Sequence, residues 1–225
     1  MNKIEPLLLI YSGGMDSTTA LYEFRDSIKL CLSFDYRSKH NTRELAEAAF
    51  HTTALGIPHQ IINLAFIGDH FRSSLLQNGS EIPEGHYRSS SMKQTVVPFR
   101  NGIMLSIAAG IAESNRLGGV MIANHFGDHT IYPDCRNSFI EPMRSAIKAG
   151  TDSEIELVAP YTFISKRAIA LKGRALGIDF SRTWSCYKGG EKHCGRCGTC
   201  IERKEALVGF DLTEYENHDA LAQAV

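Results

Sequence analysis

The sequence has almost no net charge: 24 lysines and arginines stand against 25 aspartates and glutamates in 225 residues, which leaves a formal −1. With so little overall field, neither nucleic acid nor an anionic membrane is an expected partner, and a small-molecule site fits better. Long apolar runs are missing near the start. The stretch Pro6 to Tyr11 is too short for a signal-peptide core and far too short to span a bilayer, so a cytoplasmic protein is expected. Two familiar phosphate-loop patterns, G-x-x-x-x-G-K-[ST] and G-x-G-x-x-G, do not occur, which sets aside the usual NTPase loop and the dinucleotide fingerprint. There is no internal repeat and no low-complexity tract. What is present is 43% hydrophobic residues, enough to bury a full core in a chain within range of one α/β domain.

The segment that organises the chain is Ser12-Gly13-Gly14-Met15-Asp16-Ser17, directly after the apolar run Leu7-Leu8-Leu9-Ile10-Tyr11. Strand, glycine turn and helix start follow one another in the order of a phosphate-binding βα turn. Gly13 and Gly14 carry no Cβ, so the backbone can turn tightly and approach a ligand. The N–H groups and dipole of the following helix then face an anion. The six residues resemble the loop of the N-type ATP pyrophosphatases, enzymes that split ATP between the α and β phosphates to adenylate a substrate.

Further along, Ser17 to Arg25 reads as a helix and Ile28 to Phe34 as a buried strand ending at Asp35. Carboxyl-terminal strand ends form the ligand crevice of such sheets, which places Ser33, Phe34 and Asp35 beside a base or ribose, unless they are simply turn residues. Thr42 to Leu55 has helical spacing closed by Gly56 and Pro58, and Gln60 to Leu64 reads as a third strand. From Arg72 to Thr95 the pattern breaks down, and a long mobile loop is expected, either a lid or an excursion. Arg100 and Asn101 open a helix, where they can bind phosphate and read a base or ribose, or merely cap. Val120 to Ala123 reads as a fourth strand. It is followed by the polar run Asn124 to Arg136, a substrate-recognition stretch or a solvated loop. Ser138 to Lys148 reads as a helix, Glu156 to Val158 as a fifth strand, and Ser165 to Leu176 as a helix opening with Lys166 and Arg167.

Four of the six cysteines, Cys186, Cys194, Cys197 and Cys200, lie close together with Gly195 and Gly198 between them. In a reducing compartment that clustering reads as metal binding before disulfides. Four thiolates at loop spacing suit a closed, structural tetrahedral zinc site, with an iron–sulfur cluster as the nearest rival. Cys31 reads as inert core, and His193 as a neighbour of a ligand.

From about Leu7 through Asp211 the chain resembles the 7-cyano-7-deazaguanine synthase family. The resemblance is carried by Ser12 to Ser17, Ser33-Phe34-Asp35-Tyr36, Val97-Pro98 with Arg100-Asn101, Tyr132-Pro133-Asp134-Cys135-Arg136, Thr183-Trp184-Ser185-Cys186-Tyr187 and the last three cysteines. It implies an α/β fold, doubly wound, with a mainly parallel sheet of about five strands of the adenine nucleotide alpha hydrolase kind. A nucleotide-binding part at 1–180 would be joined by a zinc-binding loop and helical tail at 181–225. It implies structural Zn2+ on Cys186, Cys194, Cys197 and Cys200, together with ATP, Mg2+, a deazapurine carboxylate and ammonia, and a homodimer. ATP would be held by Tyr11, Ser12, Gly13, Gly14, Met15, Asp16, Ser17, Ser33, Phe34, Asp35, Arg100 and Asn101. Asp16, Ser17 and Lys166 take the catalytic role. Asp128, Tyr132, Pro133, Asp134 and Arg136 take the substrate, with Asp134 accepting from a guanine-like edge.

Three places depart from the family pattern: Phe99, Asn124-His125-Phe126 and Thr130-Ile131. All lie in expected substrate loops while the phosphate loop and cysteines are intact. A second reading therefore keeps adenylation of the same carboxylate but joins it to another amine, such as one on a protein, and stops at the amide.

Overall fold

The computed structural model describes residues 6–86 and 90–217. Ser89 and the tail beyond 217, both touched on above, lie outside the described residues. Five parallel strands, β1 (Leu7–Ile10), β2 (Ile28–Asp35), β3 (His59–Asn63), β4 (Gly119–Met121) and β5 (Glu156–Val158), form one sheet in the order β3-β2-β1-β4-β5. Strand β1 is hydrogen-bonded on both sides, with Leu9 opposite Cys31 of β2 and Met121 of β4. Such a strand is buried on both faces, which is why it is a continuous apolar run with no alternation.

Seven α-helices are described: α1 (Met15–Glu23), α2 (Asn41–Leu55), α3 (Ala65–His70), α4 (Arg100–Ser114), α5 (Asn137–Gly150), α6 (Lys166–Ala175) and α7 (Gly198–Ala206). They sort onto the two faces of the sheet. On one face Leu7, Leu9 and Tyr11 pack with Ala20 and Leu21 of α1, Ala48 of α2 and Ile169 of α6. On the other, Leu8, Leu32 and Val120 pack with Leu105 and Ala108 of α4 and Ile140 and Ile147 of α5. The chain winds outward from β1 through α1 and α2, then returns through α4 and α5 on the far side, so the sheet is doubly wound. The winding reverses between β1 and β4, and their carboxyl ends diverge there into a crevice. The stretch Ser90–Ser114 is long and apolar enough to cross a membrane by composition, but half of it is buried within the fold as a core helix.

Most sequence expectations fall within a residue or two of the observed elements, apart from the unforeseen helix α3 and one longer segment. The segment 72–95 is not structureless in its described part. Leu75, Leu76, Ile82 and Met92 are buried. The Lys39 ammonium donates to the carbonyls of Ser74, Gly79 and Ser80. A backbone bridge joins Glu84 to Cys197, and Ser90–Thr95 forms a 3-10 turn. Spaced single apolar residues anchor this strap, and they carry no helix or strand periodicity to reveal them.

Candidate active site and metal centre

The phosphate loop turns on Gly13, whose φ of +80° lies in the left-handed region. A Cβ there would sit 2.3 Å from the Glu44 carbonyl oxygen and 2.7 Å from the Ala48 nitrogen, so α2 presses on the loop where only glycine fits. The Gly13 carbonyl accepts from Trp184 N–H at 3.1 Å, which ties the C-terminal segment to the loop. Helix α1 then starts at Gly14 with no side-chain cap, leaving its first N–H groups directed into the crevice. The hydroxyls of Ser12 and Ser17 hydrogen-bond each other at 3.1 Å, and Ser12 Oγ accepts from Gly14 N–H.

The crevice is a cavity of about 220 Å3. The loop supplies Tyr11, Ser12, Gly14, Met15, Asp16 and Ser17 to its wall; β2 and α4 supply Ser33, Phe34, Arg100 and Asn101; Asp128 and Lys166 come from later in the chain. These residues, of which Tyr11 and Lys166 lie 155 positions apart, meet because they gather at the carboxyl edge of the sheet, on strand ends, in the loops after them or at the N-terminal ends of α1, α4 and α6. Gly13 lies beneath the wall, against α2. Asp35 turns away to accept from the Arg37 N–H.

The expected substrate residues behave differently, and only Asp128 of that set lines the cavity. Tyr132 shares hydroxyl contacts with Thr95 and Tyr187, each at 2.8 Å. The Asp134 carboxylate accepts from Asn101 N–H at 2.8 Å, where it satisfies an N-terminal donor of α4. Arg136 Nε donates to the His129 carbonyl. Pro133 opens the 3-10 turn Pro133–Cys135. Tyr132 and Asp134 are taken up by partners from distant parts of the chain and Arg136 by a local carbonyl, and the cavity takes Asn124 and Cys135 from the same stretch instead.

Lys166 opens α6, which is capped by Ser165 Oγ accepting from Ala168 N–H. Its ammonium is 2.9 Å from Glu202 and 3.2 Å from Asp16, and 3.5 Å from His125 Nε2. Burial alone would lower the lysine, but the Asp16, Glu202 and Asp128 carboxylates outweigh it and hold the group well above its ordinary range, so it stays charged. His125 is buried among the same acids, 3.4 Å from Asp128 and 3.8 Å from Asp16, and caps the following turn by accepting from Gly127 N–H. The second carboxylate oxygen of Asp16 is buried with no hydrogen-bond partner among the described residues. An orphaned anionic oxygen beside uncapped helix N–H groups fits a phosphate arriving with a divalent cation.

Sequence reasoning missed the face that α2 turns to the cavity, formed by His40, Asn41, Glu44 and Leu45. Burial pushes the Glu44 carboxyl up to about 8, with Arg100 working against the shift. Burial and Arg100 together push His40 down to about 3, so it is neutral. The i, i+4 spacing of His40 and Glu44 just after a strand end was the available signal. Glu202 was also missed, since it sits between Cys200 and the basic pair Arg203-Lys204.

The four cysteines converge: their sulfurs are buried and lie within 4.8 Å of one another. A tetrahedron with metal–sulfur bonds of roughly 2.3 Å has edges of roughly 3.8 Å, and Cys194 to Cys200 measures 3.9 Å. Backbone N–H groups of Cys194 and Cys197 point at the Cys186 and Cys194 sulfurs, as thiolates require. The set can hold a metal and has no fifth side. Cys197 is also the residue from which α7 starts, so the same knuckle that closes the site carries Glu202 to Lys166. His193 is buried against Trp184 and accepts from Ser185 N–H, a structural partner of the knuckle. Cys31 is fully buried, and burial pushes its thiol up to about 12, consistent with inert core.

Residues 7–211 match the family model described as queuosine biosynthesis protein QueC. The chain belongs to that family. A Porphyromonas gingivalis relative named 7-cyano-7-deazaguanine synthase is 59% identical over 219 residues, covering 96% of this chain and 100% of its own. One of the same name from Desulfotalea psychrophila is 51% identical over 213 residues, covering 92% and 97%. Among solved structures, the U34-tRNA thiolase NcsA from Methanococcus maripaludis with its [4Fe-4S] cluster superposes with a TM-score of 0.51 at 10% identity, over 79% of this chain and 59% of that one. The last likeness concerns the fold alone. Membership of the QueC family makes this chain an enzyme family member whose relatives are synthases.

Proposed function

We propose that this protein is an ATP-dependent ligase that converts 7-carboxy-7-deazaguanine and ammonia to 7-cyano-7-deazaguanine. The observation that carries the reading is near full-length identity of up to 59% to relatives bearing the synthase name, with the phosphate loop and acid–lysine cluster intact at the switch point.

In the first half-reaction the substrate carboxylate attacks the α-phosphorus of ATP, the bond to the β-phosphate oxygen breaks, and pyrophosphate leaves. The uncapped N–H groups of α1 and the hydroxyls of Ser12 and Ser17 would hold phosphate oxygens, and Asp16 would hold Mg2+, which supplies charge neutralisation when bound. Lys166, kept charged and clamped by Glu202, would meet the charge that builds on the transferring group. Ammonia then attacks the acyl carbon, AMP leaves, and a proton is lost to give the amide. A second ATP activates the amide oxygen, pyrophosphate leaves again, and loss of AMP with the nitrogen-bound protons gives the nitrile. Tyr11, Ser33, Phe34, Arg100 and Asn101 would hold the rest of the nucleotide and Asp128 the substrate side. The cysteines would hold structural Zn2+, with the four ligands leaving no open position for chemistry. A cytoplasmic, homodimeric enzyme completes the proposal.

The reading with another amine acceptor gains no support. Of the departing residues, Phe99 and Phe126 point to solvent, 59% and 57% exposed, and Ile131 is buried beside Met92. Among them Asn124 alone lines the cavity; its amide nitrogen is committed to Cys135 O and Thr162 Oγ1, which leaves only its Oδ1 without a partner among the described residues. Pyrophosphate exchange into ATP should depend on added 7-carboxy-7-deazaguanine and vanish in Asp16→Asn. Exchange of equal rate without the acid, or in the variant, would contradict the proposal.

A further inference from the structure

Three carboxylates line the cavity, and two are already engaged: Asp16 with Lys166 and Asp128 with His125. Glu44 is the third. Among the described residues no hydrogen bond reaches its carboxylate, and its nearest basic neighbour is His40 Nε2 at 3.7 Å. That neighbour is neutral, and the other one, Arg100, directs its Nη1 at the Tyr36 hydroxyl at 3.3 Å and lies over the Tyr36 ring. The carboxylate expected from sequence to read the heterocycle, Asp134, is instead turned to the α4 N-terminus and away from the cavity.

A carboxylate only about a fifth exposed and facing a cavity without a donor is costly to keep ionised, and burial pushes Glu44 up to about 8. A ligand removes that cost by bringing N–H groups of its own. From this geometry we infer that Glu44 selects a guanine-like heterocycle, its two oxygens accepting the ring N–H and the exocyclic amino N–H side by side. The match is one of shape and sign: the two donors of that edge are parallel and spaced like the two oxygens of a carboxylate. An adenine-like edge puts an unprotonated ring nitrogen against one oxygen and is repelled, so the same residue that grips one ring type rejects the other. The inference rests on the reading of this cavity as the site for 7-carboxy-7-deazaguanine.

Calorimetric titration of the full chain with 7-carboxy-7-deazaguanine and with its 2-desamino analogue tests it, in the parent protein and in Glu44→Gln. The parent should bind the amino compound at least about ten-fold tighter than the desamino one, and Glu44→Gln should lose at least about ten-fold in affinity and nearly all of that preference. The parent measurement needs no variant, so a misfolded Glu44→Gln leaves the test standing. If the parent binds both compounds within about three-fold, or the variant keeps the parental preference, the role of Glu44 is overturned while the cavity's assignment survives. If the parent binds neither compound, the assignment of the cavity falls and the inference falls with it.

Discussion

Replacing Lys166 by methionine keeps the length and packing of the stem but removes the one ammonium that Asp16 and Glu202 share. Lys166, Asp16 and Glu202 have side chains 12%, 19% and 12% exposed, so two carboxylates would be stranded with little water, and Asp128 would lose an electrostatic partner as well. Breaking a buried ion pair by removing one partner costs about 3–5 kcal/mol. Because each group here still touches solvent, the lower end applies, about 3 kcal/mol, or about 6–12 °C in melting temperature for a chain of this size. Thermal unfolding of the unliganded protein at neutral pH measures it. The double variant with Glu202→Gln removes one of the stranded charges and should regain about 1 kcal/mol while turnover stays lost. A Lys166→Met protein that melts within about 2 °C of the parent would refute the placement of this lysine as the counter-charge of the cluster.

Gly13→Ala should abolish pyrophosphate release, because its Cβ would meet the Glu44 carbonyl at 2.3 Å with the backbone already at φ +80°; normal turnover would show that α2 yields easily. If the cysteines hold a metal, Cys197→Ser should lose it and lower the melting temperature, since Cys197 would supply a ligand and is the residue from which α7 starts; full metal content by elemental analysis would contradict the closed-site reading. The pH dependence of stability should carry the mark of Glu44. Its carboxyl is raised from 4.5 to about 8, so the native state favours the protonated form, and that contribution is fully present below 4.5 and lost as the pH rises through 8. Glu44→Gln should therefore melt with the parent in acid but above it in mildly alkaline buffer: the full difference corresponds to about 4–5 kcal/mol, and with the carboxylate 19% exposed about half of it, roughly 5 °C, is expected. A difference that does not change with pH would mean the carboxylate is solvated.

The glycine turn after β1 and the convergence of the four cysteines were legible because their signals are local: glycines at a turn, hydroxyls after a strand, and cysteines a few residues apart. The sheet was legible because strands buried on two faces are plain apolar runs. Strand β4 proved shorter than Val120 to Ala123, yet Ile122 still donates to Val158 O, so the run marks the pairing if not the boundary. What stayed hidden depends on long-range packing. Glu202 meets Lys166 across 36 positions, and nothing in its own neighbourhood marks it. His40 and Glu44 sit on a helix whose alanine-rich spacing reads as ordinary amphipathicity, although the first turn of that face looks into the cavity before Ala48 reaches the core. Helix α3 was missed because six residues make too few turns for a period. The polar run Asn124 to Arg136 misled in detail: its strand-end position was right, but around its two 3-10 turns Tyr132 and Asp134 are turned to distant partners, Thr95, Tyr187 and Asn101, which no local pattern reveals.

The central claim is the chemical outcome at this cavity. Incubating the protein with Mg2+, ATP, 7-carboxy-7-deazaguanine and isotopically labelled ammonium, then following products by mass spectrometry, tests it most directly. The account predicts a transient amide and then 7-cyano-7-deazaguanine carrying the label in its nitrile, with two AMP released for each nitrile formed. Pyrophosphate release with adenylate or amide accumulating and no nitrile at any time would contradict it.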